Sequence, residues 1–539
     1  MAPSKDATSS LKNFYVHFTK QYAPVLKQNQ KKIFLGAGFF LLCILYVTAY
    51  WNDPGMPWPC GRYPEGWWGW FDQSNYFKST VALAHGDLRP EQHWYPFGYA
   101  LIGAPFVWLG RQVYFLPDLI CLLLAARGFI SFARTCGVAS TSAMLLFLLG
   151  TCSSHSIRSA WAEPWNTTLA AALIWNALAL SAREISTIGN RCDTSAAREG
   201  ALSLALLGAI LAFMPVTRPT DVTLAGPIGL TTLGALYLQR GSIANKIVRS
   251  ITLIGGCLLI WIACAALYLS IYGFHPTQYM IVSRNMGFRL EGLGWKTYIL
   301  LLTPRPWFPD GAGLLERLPW IAPGLAGLIV APFVADRKGR WVLALLSVLI
   351  TGYSLLFFSY VDLIPAGLWR YNNVHYFKWL LPGLALLGFI ACRALTGVNW
   401  RLAAAALAGV YLATCIRFLP YRTLPDAAPI WMVQKSEPPP SWPDAYFEHS
   451  VLHDNQQAWR NINDFRAMPD SQGERWIALR APFSGIVRRE QMKNGQAVAG
   501  TETLPDASSN ELYWGMQLGF RLDPCWLPPY ACSRKDPQP

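Results

Sequence analysis

The stretch Trp67–Gly110, WWGWFDQSNYFKSTVALAHGDLRPEQHWYPFGYALIGAPFVWLG, decides how the rest of the chain is read. It follows the first long apolar run, Ile33 to Tyr50, and is therefore expected just outside a membrane. Within it Asp72 stands among aromatic residues at the head of a helical pattern that runs to His85-Gly86, where the glycine suits a C-terminal cap. Asp72 is either a simple helix cap or a reactive acid, and the two roles are compatible. A helix N-terminus favours the ionised carboxylate, the form a general base needs.

Working outward, the composition of the 539-residue chain excludes an ordinary soluble globule: 53% of residues are hydrophobic and 14% are charged. Further apolar runs lie near 113–134, 138–154, 164–182, 200–217, 221–239, 250–271, 318–334, 341–358, 376–393 and 401–418. With the first they predict about eleven membrane spans, or twelve to thirteen if further segments cross. If 97–110 lies at the membrane edge or re-enters without crossing, the basic loops at 134–136, 183–199, 240–249, 335–340 and 393–401 all fall on one side. That side is then inner, because short inner loops are the ones enriched in Lys and Arg. The net charge of +14 is thus a topology signal, and no nucleic-acid-binding motif accompanies it.

Residues 1–32 are polar and basic, and LKNFYVHFTKQYAPVLK reads as an amphipathic piece on the inner leaflet. The first apolar run starts too late for a cleaved leader, so the N-terminus is expected inside. Residues 33–419 form the membrane module. Its outer surface then comprises 51–112, 155–163, Arg218 to Asp221, 272–317 and 359–375. The loop 272–317, rich in Gly and Pro, is either a lid over a pocket or a folded connector. From 420 to 539 the composition becomes polar, and RWIALRAP, SGIVRREQ and ELYWGMQLGFRL have strand character, which predicts a small outer β-rich domain. Cys525 and Cys532 in that tail are either bridged or free.

Outer charged residues fall into groups. Arg218 in Thr217-Arg218-Pro219-Thr220-Asp221 sits at the edge of two apolar runs, where an unpaired guanidinium is costly. Asp221 is one candidate partner, and a ligand phosphate, which suits the planar fork, is the other. LWRYNNVHYFKWLLPG puts Arg370, His375 and Lys378 at the mouth of a late run, as interfacial anchors or as ligands for a lipid phosphate. In SHSIRSAWAEPWNTT, Arg158 and Glu163 lie five residues apart. There Glu163 is either a solvated loop acid or a site residue.

The order of these features resembles the GT-C superfamily of membrane glycosyltransferases, including bacterial aminoarabinose, protein O-mannosyl and arabinofuranosyl transferases. The matching residues are Phe71-Asp72-Gln73, Tyr76, Gly86, Tyr95-Pro96-Phe97-Gly98-Tyr99 and Leu109-Gly110, followed by Arg158 and Glu163, the Arg-Pro-Thr turn at Arg218, and the Arg-Tyr segment at Arg370. Many members carry Asp-Glu at the acid, whereas this chain has Asp72-Gln73. The resemblance covers residues 33–390. It implies an α-helical polytopic enzyme of a bacterial inner membrane with its site on the periplasmic face. A sugar would pass from a polyprenyl-phosphate donor such as undecaprenyl phosphate to a hydroxyl of a glycan, lipid or protein. Asp72 would be the general base, with Glu163 in the same cavity. Arg158, Arg218, Arg370, Lys378, Tyr76, Tyr95 and His375 would bind substrate. A divalent metal, where used, would be held by Glu91, His93 and His275, although their spacing makes no tight ligand set. Three other classes remain open: an outer-face polymerase or ligase using a diphosphate-linked glycan, a flippase or transporter of lipid-linked sugars, and a non-catalytic scaffold.

Overall fold

In the computed structural model the described residues are 30–53, 55–57, 66–188, 197–286, 288, 290, 293–302, 313–360, 363, 367–370, 373–395, 401, 404–405, 408–409, 475–480, 487–493 and 496–498. The first apolar run becomes helix α1 (Gln30–Trp51). Next come α2 (Phe71–Ala84), a short 3-10 turn at Pro90–Gln92, α3 (Gly98–Gly103) and a 3-10 segment to Gln112 that bends at Gly110. The chain continues through α4 (Phe115–Thr135), α5 (Ser140–Cys152), α6 (His155–Ala162), α7 (Asn166–Ser186), α8 (Ala197–Thr217), α9 (Val222–Leu238) and α10 (Ile243–Tyr272). Shorter helices α11 (Gln278–Met286), α12 (Leu293–Leu301) and α13 (Leu314–Arg317) lead to α14 (Ile321–Val334), α15 (Arg337–Phe358), α16 (Gly367–Arg370) and α17 (Leu380–Leu395).

Six of these helices, α1, α4, α8, α9, α10 and α15, are long and apolar enough to cross a membrane, and α5, α14 and α17 are shorter apolar helices. Helix α7 is as long as α4, at 21 residues each, but carries Asn, Thr and Ser and is buried along most of its length. It packs against α4, α8, α9 and α15. Among packed apolar helices in a membrane, close contact rather than exclusion of water supplies most of the cohesion. Here the Trp175 ring stands edge-on to Phe129 at 4.8 Å, while its indole N–H donates to the Trp379 carbonyl at 3.0 Å. The helical class read from the sequence is what the structure has. The run at 401–418 lies mostly outside the described residues, as do the N-terminal segment, Cys525 and Cys532. Of the expected C-terminal β-rich domain, three strands are described: β1 (Arg475–Arg480), β2 (Val487–Lys493) and β3 (Gln496–Val498), paired antiparallel in that order. Arg475 stands opposite Met492, and Gln491 opposite Val498.

The basic turns gather at one end of the bundle. Arg183 at the end of α7 donates to Ser131 near the end of α4 at 3.2 Å. Arg249 on α10 pairs with Glu184 at 2.5 Å, and Gln239 after α9 donates to the Thr187 hydroxyl at 2.7 Å. The opposite end carries α2, α3 and the turn at Arg218. Helix α2 stops at His85 because Gly86 turns the chain with φ +71°, a conformation costly for any residue with a Cβ. At Gly98 the missing Cβ is needed for a different reason. A side chain there would meet the Thr217 hydroxyl and the Val216 carbonyl at 2.8 Å, so only glycine lets α3 lie directly on the end of α8. This contact sets the distance between α2 and Arg218.

Gly98→Ala is therefore expected to push α3 off α8 at a cost of about 1–3 kcal/mol. The check is the thermal transition of the full chain in detergent micelles, which should fall relative to wild type.

Candidate functional site

Asp72 lies within the first turn of α2, whose N-cap is Trp70, so the capping role suggested by the sequence belongs to another residue. Its carboxylate is half-buried, and the Tyr95 hydroxyl donates to Oδ1 at 2.5 Å. Burial, and next the Asp72 charge, push the Tyr95 phenol well above its usual range, so it stays protonated and donates. The Tyr95 ring packs on Tyr76 at 4.8 Å and on Tyr279 of α11 at 5.2 Å. Burial likewise raises the Tyr76 phenol, with Asp72 and Tyr279 adding to the rise and Arg218 opposing it. The Tyr279 hydroxyl is raised by burial and is acted on by Arg218, Asp72 and Asp221 together. Tyr76 and Tyr279 thus lie within the influence of both Asp72 and Arg218.

Arg218 opens the turn between α8 and α9, where Pro219 starts a 3-10 turn ending at Asp221. It is 6% exposed. Its Nη1 donates to the Tyr353 hydroxyl at 2.9 Å, and the guanidinium lies over the rings of Phe357 and Tyr376 at 5.1 and 5.2 Å. Asp221 is fully buried, 3.9 Å from Nη1, and neither of its carboxylate oxygens makes a hydrogen bond. The pair is therefore compensated in charge but weak in geometry. The planar fork of a guanidinium suits two oxygens of a phosphate.

A second cluster stands beside the first. Lys378, in the turn before α17, is fully buried and donates to the Ala160 carbonyl at 2.7 Å and the Thr168 hydroxyl at 2.6 Å. The Trp161 ring lies 5.1 Å from its Nζ. Glu163 terminates α6, is buried, and accepts from the Trp165 indole at 2.8 Å. Asp118, Glu163 and Arg218 all act on Lys378, and Asp72 acts on tyrosines 76, 95 and 279. His375 stacks on Trp165 at 3.8 Å, with Nδ1 3.2 Å from the Thr167 hydroxyl. Arg158 is half-buried on α6 and makes no ion pair among the described residues. The side chain of Arg370 lies outside the described residues.

His93 is buried, and both ring nitrogens are engaged: Nδ1 meets the Ser79 hydroxyl at 2.7 Å and Nε2 the Asp87 carbonyl at 2.9 Å. A carbonyl only accepts, so Nε2 carries the proton and Nδ1 accepts from Ser79. Burial holds this imidazole below the usual histidine range, which keeps it neutral. Its own carbonyl accepts from Tyr272 at 2.6 Å, fastening the loop after α2 to the end of α10. Glu91 and His275 are exposed. Among the described residues no three His, Cys, Asp or Glu side chains gather as a metal site.

Sequence reasoning did not single out Asp118, Tyr279 or Tyr353. The first is one acid in a leucine-rich run, and the other two are single tyrosines among many.

No known protein family and no curated protein matches the sequence. Among solved structures the chain is similar to an archaeal oligosaccharyltransferase, AglB from Archaeoglobus fulgidus, solved in complex with an inhibitory peptide and a dolichol-phosphate. The TM-score is 0.39 and the identity 11%, over 72% of this chain and 56% of that one. The chain thus spans little more than half the length of that enzyme. At so low a likeness, function has to be argued from the residues.

Arg218→Ala strips a fully buried carboxylate of the one cation paired with it among the described residues, and is expected to cost about 3–5 kcal/mol. Arg218→Ala combined with Asp221→Asn should recover much of that loss. Thermal unfolding of the three proteins in one detergent tests the coupling.

Proposed function

We propose that the chain is a membrane glycosyltransferase that moves a sugar from a polyprenyl-phosphate donor to a hydroxyl acceptor, with inversion at the anomeric carbon. One observation carries this reading: a carboxylate steered by a tyrosine and a buried guanidinium with a loosely held partner share one tyrosine cluster at one end of an apolar bundle. An acid and a phosphate-binding cation in that relation are what a displacement from a lipid phosphate requires. The donor lipid would enter between helices, because its long chain is not delivered through water.

In the reaction Asp72 takes the proton of the acceptor hydroxyl as its oxygen attacks the anomeric carbon. The bond from that carbon to the phosphate oxygen breaks on the opposite side, and the electron pair leaves with the polyprenyl phosphate. Arg218 stabilises the charge that develops on the departing oxygen. Tyr95 holds the Asp72 carboxylate in one orientation toward the acceptor. Tyr76 and Tyr279, as neutral phenols, present hydroxyls and ring faces to the sugar. Because the Arg218 end lies opposite the basic turns, a positive-inside orientation puts the chemistry on the periplasmic face of a bacterial inner membrane. Envelope glycan, lipid or protein hydroxyls are the acceptors available there.

Asp72→Asn should lower transfer by at least about a hundredfold without preventing membrane insertion. In a strain lacking the chain, mass spectrometry of lipid extracts should show one polyprenyl-phosphate sugar accumulating. Wild type should clear it and Asp72→Asn should not; clearance by an inserted Asp72→Asn protein would refute the proposed base.

A further inference from the structure

Asp118 lies in the first turn of α4, inside a helix of membrane-spanning length and apolarity, and is fully buried. An acid so placed is costly unless it has a task. Its Oδ2 accepts from the Tyr99 hydroxyl at 2.8 Å, while Oδ1 makes no hydrogen bond. Tyr99 belongs to α3, whose seat on α8 depends on Gly98. Its ring stacks on Tyr114 at 4.2 Å with planes 9° apart, and meets Tyr76 edge-on at 5.2 Å. Tyr114 in turn exchanges a 2.6 Å hydrogen bond with Thr80 of α2. Beyond Tyr76 stands Tyr95, which holds Asp72.

We propose that Asp118 is a positioning residue for Asp72: by anchoring Tyr99 it braces the ring series Tyr99, Tyr76 and Tyr95, and so fixes the orientation of the carboxylate at the other end. The inference rests on the reading of Asp72 as the reacting base, but the brace itself is a statement about geometry. A buried carboxyl oxygen accepts from the phenol at 2.8 Å, and a phenol fixed at its hydroxyl cannot slide along the ring below it. Loss of the anchor lets Tyr99 shift on Tyr114, and the displacement reaches Tyr95 through two ring contacts. The Asp72 carboxylate then samples orientations that do not face the acceptor, which lowers turnover more than donor binding.

The test compares Asp118→Asn, Asp118→Leu and Tyr99→Phe in the full-length protein in detergent. One readout is the rate of carbodiimide-driven labelling of Asp72 by an amine, followed by peptide mass spectrometry; the other is kcat against donor KM. Asp118→Asn keeps an acceptor oxygen for Tyr99 and should behave like wild type. Asp118→Leu and Tyr99→Phe should label Asp72 severalfold faster and lose on the order of tenfold in kcat, with donor KM changed less than about twofold. Tyr99→Phe keeps the ring and serves alone should Asp118→Leu fail to fold. Unchanged labelling and kcat in the folded variants would overturn the proposal, and so would equal losses in Asp118→Asn and Asp118→Leu. The labelling does not depend on catalysis. If Asp72→Asn keeps transfer while Tyr99→Phe still exposes Asp72, the base assignment fails and the brace stands.

Discussion

A guanidinium buried at the end of an apolar bundle sets the terms for everything around it. Arg218 cannot release its proton and cannot remain charged in such a place without compensation, so the chain builds an environment for it: a tyrosine hydroxyl from α15, two aromatic faces and a carboxylate three residues on. The compensation is incomplete by design of the geometry. Asp221 balances the charge from 3.9 Å but accepts no hydrogen bond, whereas a phosphate at van der Waals contact would satisfy both charge and donors. The cost of burying the cation and its readiness for an anion have the same origin.

The remaining elements bring an acid to the tyrosines that also feel that cation. Helix α2 carries Asp72 in its first turn, and α3 ties α2 to the end of α8 through the approach that Gly98 permits. The loop between them is closed by His93, whose neutral ring joins Ser79 to the Asp87 carbonyl and whose backbone is held by Tyr272. The sequence Tyr95-Pro96-Phe97-Gly98-Tyr99 thus contains three separate instructions: hold the acid, seat the helix, anchor the ring series. The second cation, Lys378, is arranged differently. Two hydrogen bonds and an aromatic face enclose it between α6 and α7.

Much of the helical layout was legible in the sequence because apolar runs of bilayer length have few other interpretations. The run at 164–182, for example, lies within one helix bounded by Asn166 and Ser186 except for its first two residues. Asp72 and Arg218 also stood out as charged groups beside such runs, and Tyr76 and Tyr95 through the order of motifs around Asp72. The cluster they form was not legible, because it joins places far apart in the chain, as Arg218 and Tyr353 are at 135 residues, and periodicity reports a face without naming its neighbour. The same gap explains Asp118. One acid among leucines reads as an interruption until Tyr99 is seen against it.

The most direct test of the central claim is a cryo-electron microscopy structure of the chain, with Asp72→Asn to block turnover, in a lipid nanodisc containing the polyprenyl-phosphate sugar that accumulates in its absence. The account predicts phosphate density within hydrogen-bonding distance of Arg218 and the sugar between it and position 72, with Tyr76 and Tyr279 at its flanks. A donor phosphate held elsewhere, with Arg218 still on Tyr353 and position 72 remote from the sugar, would contradict it.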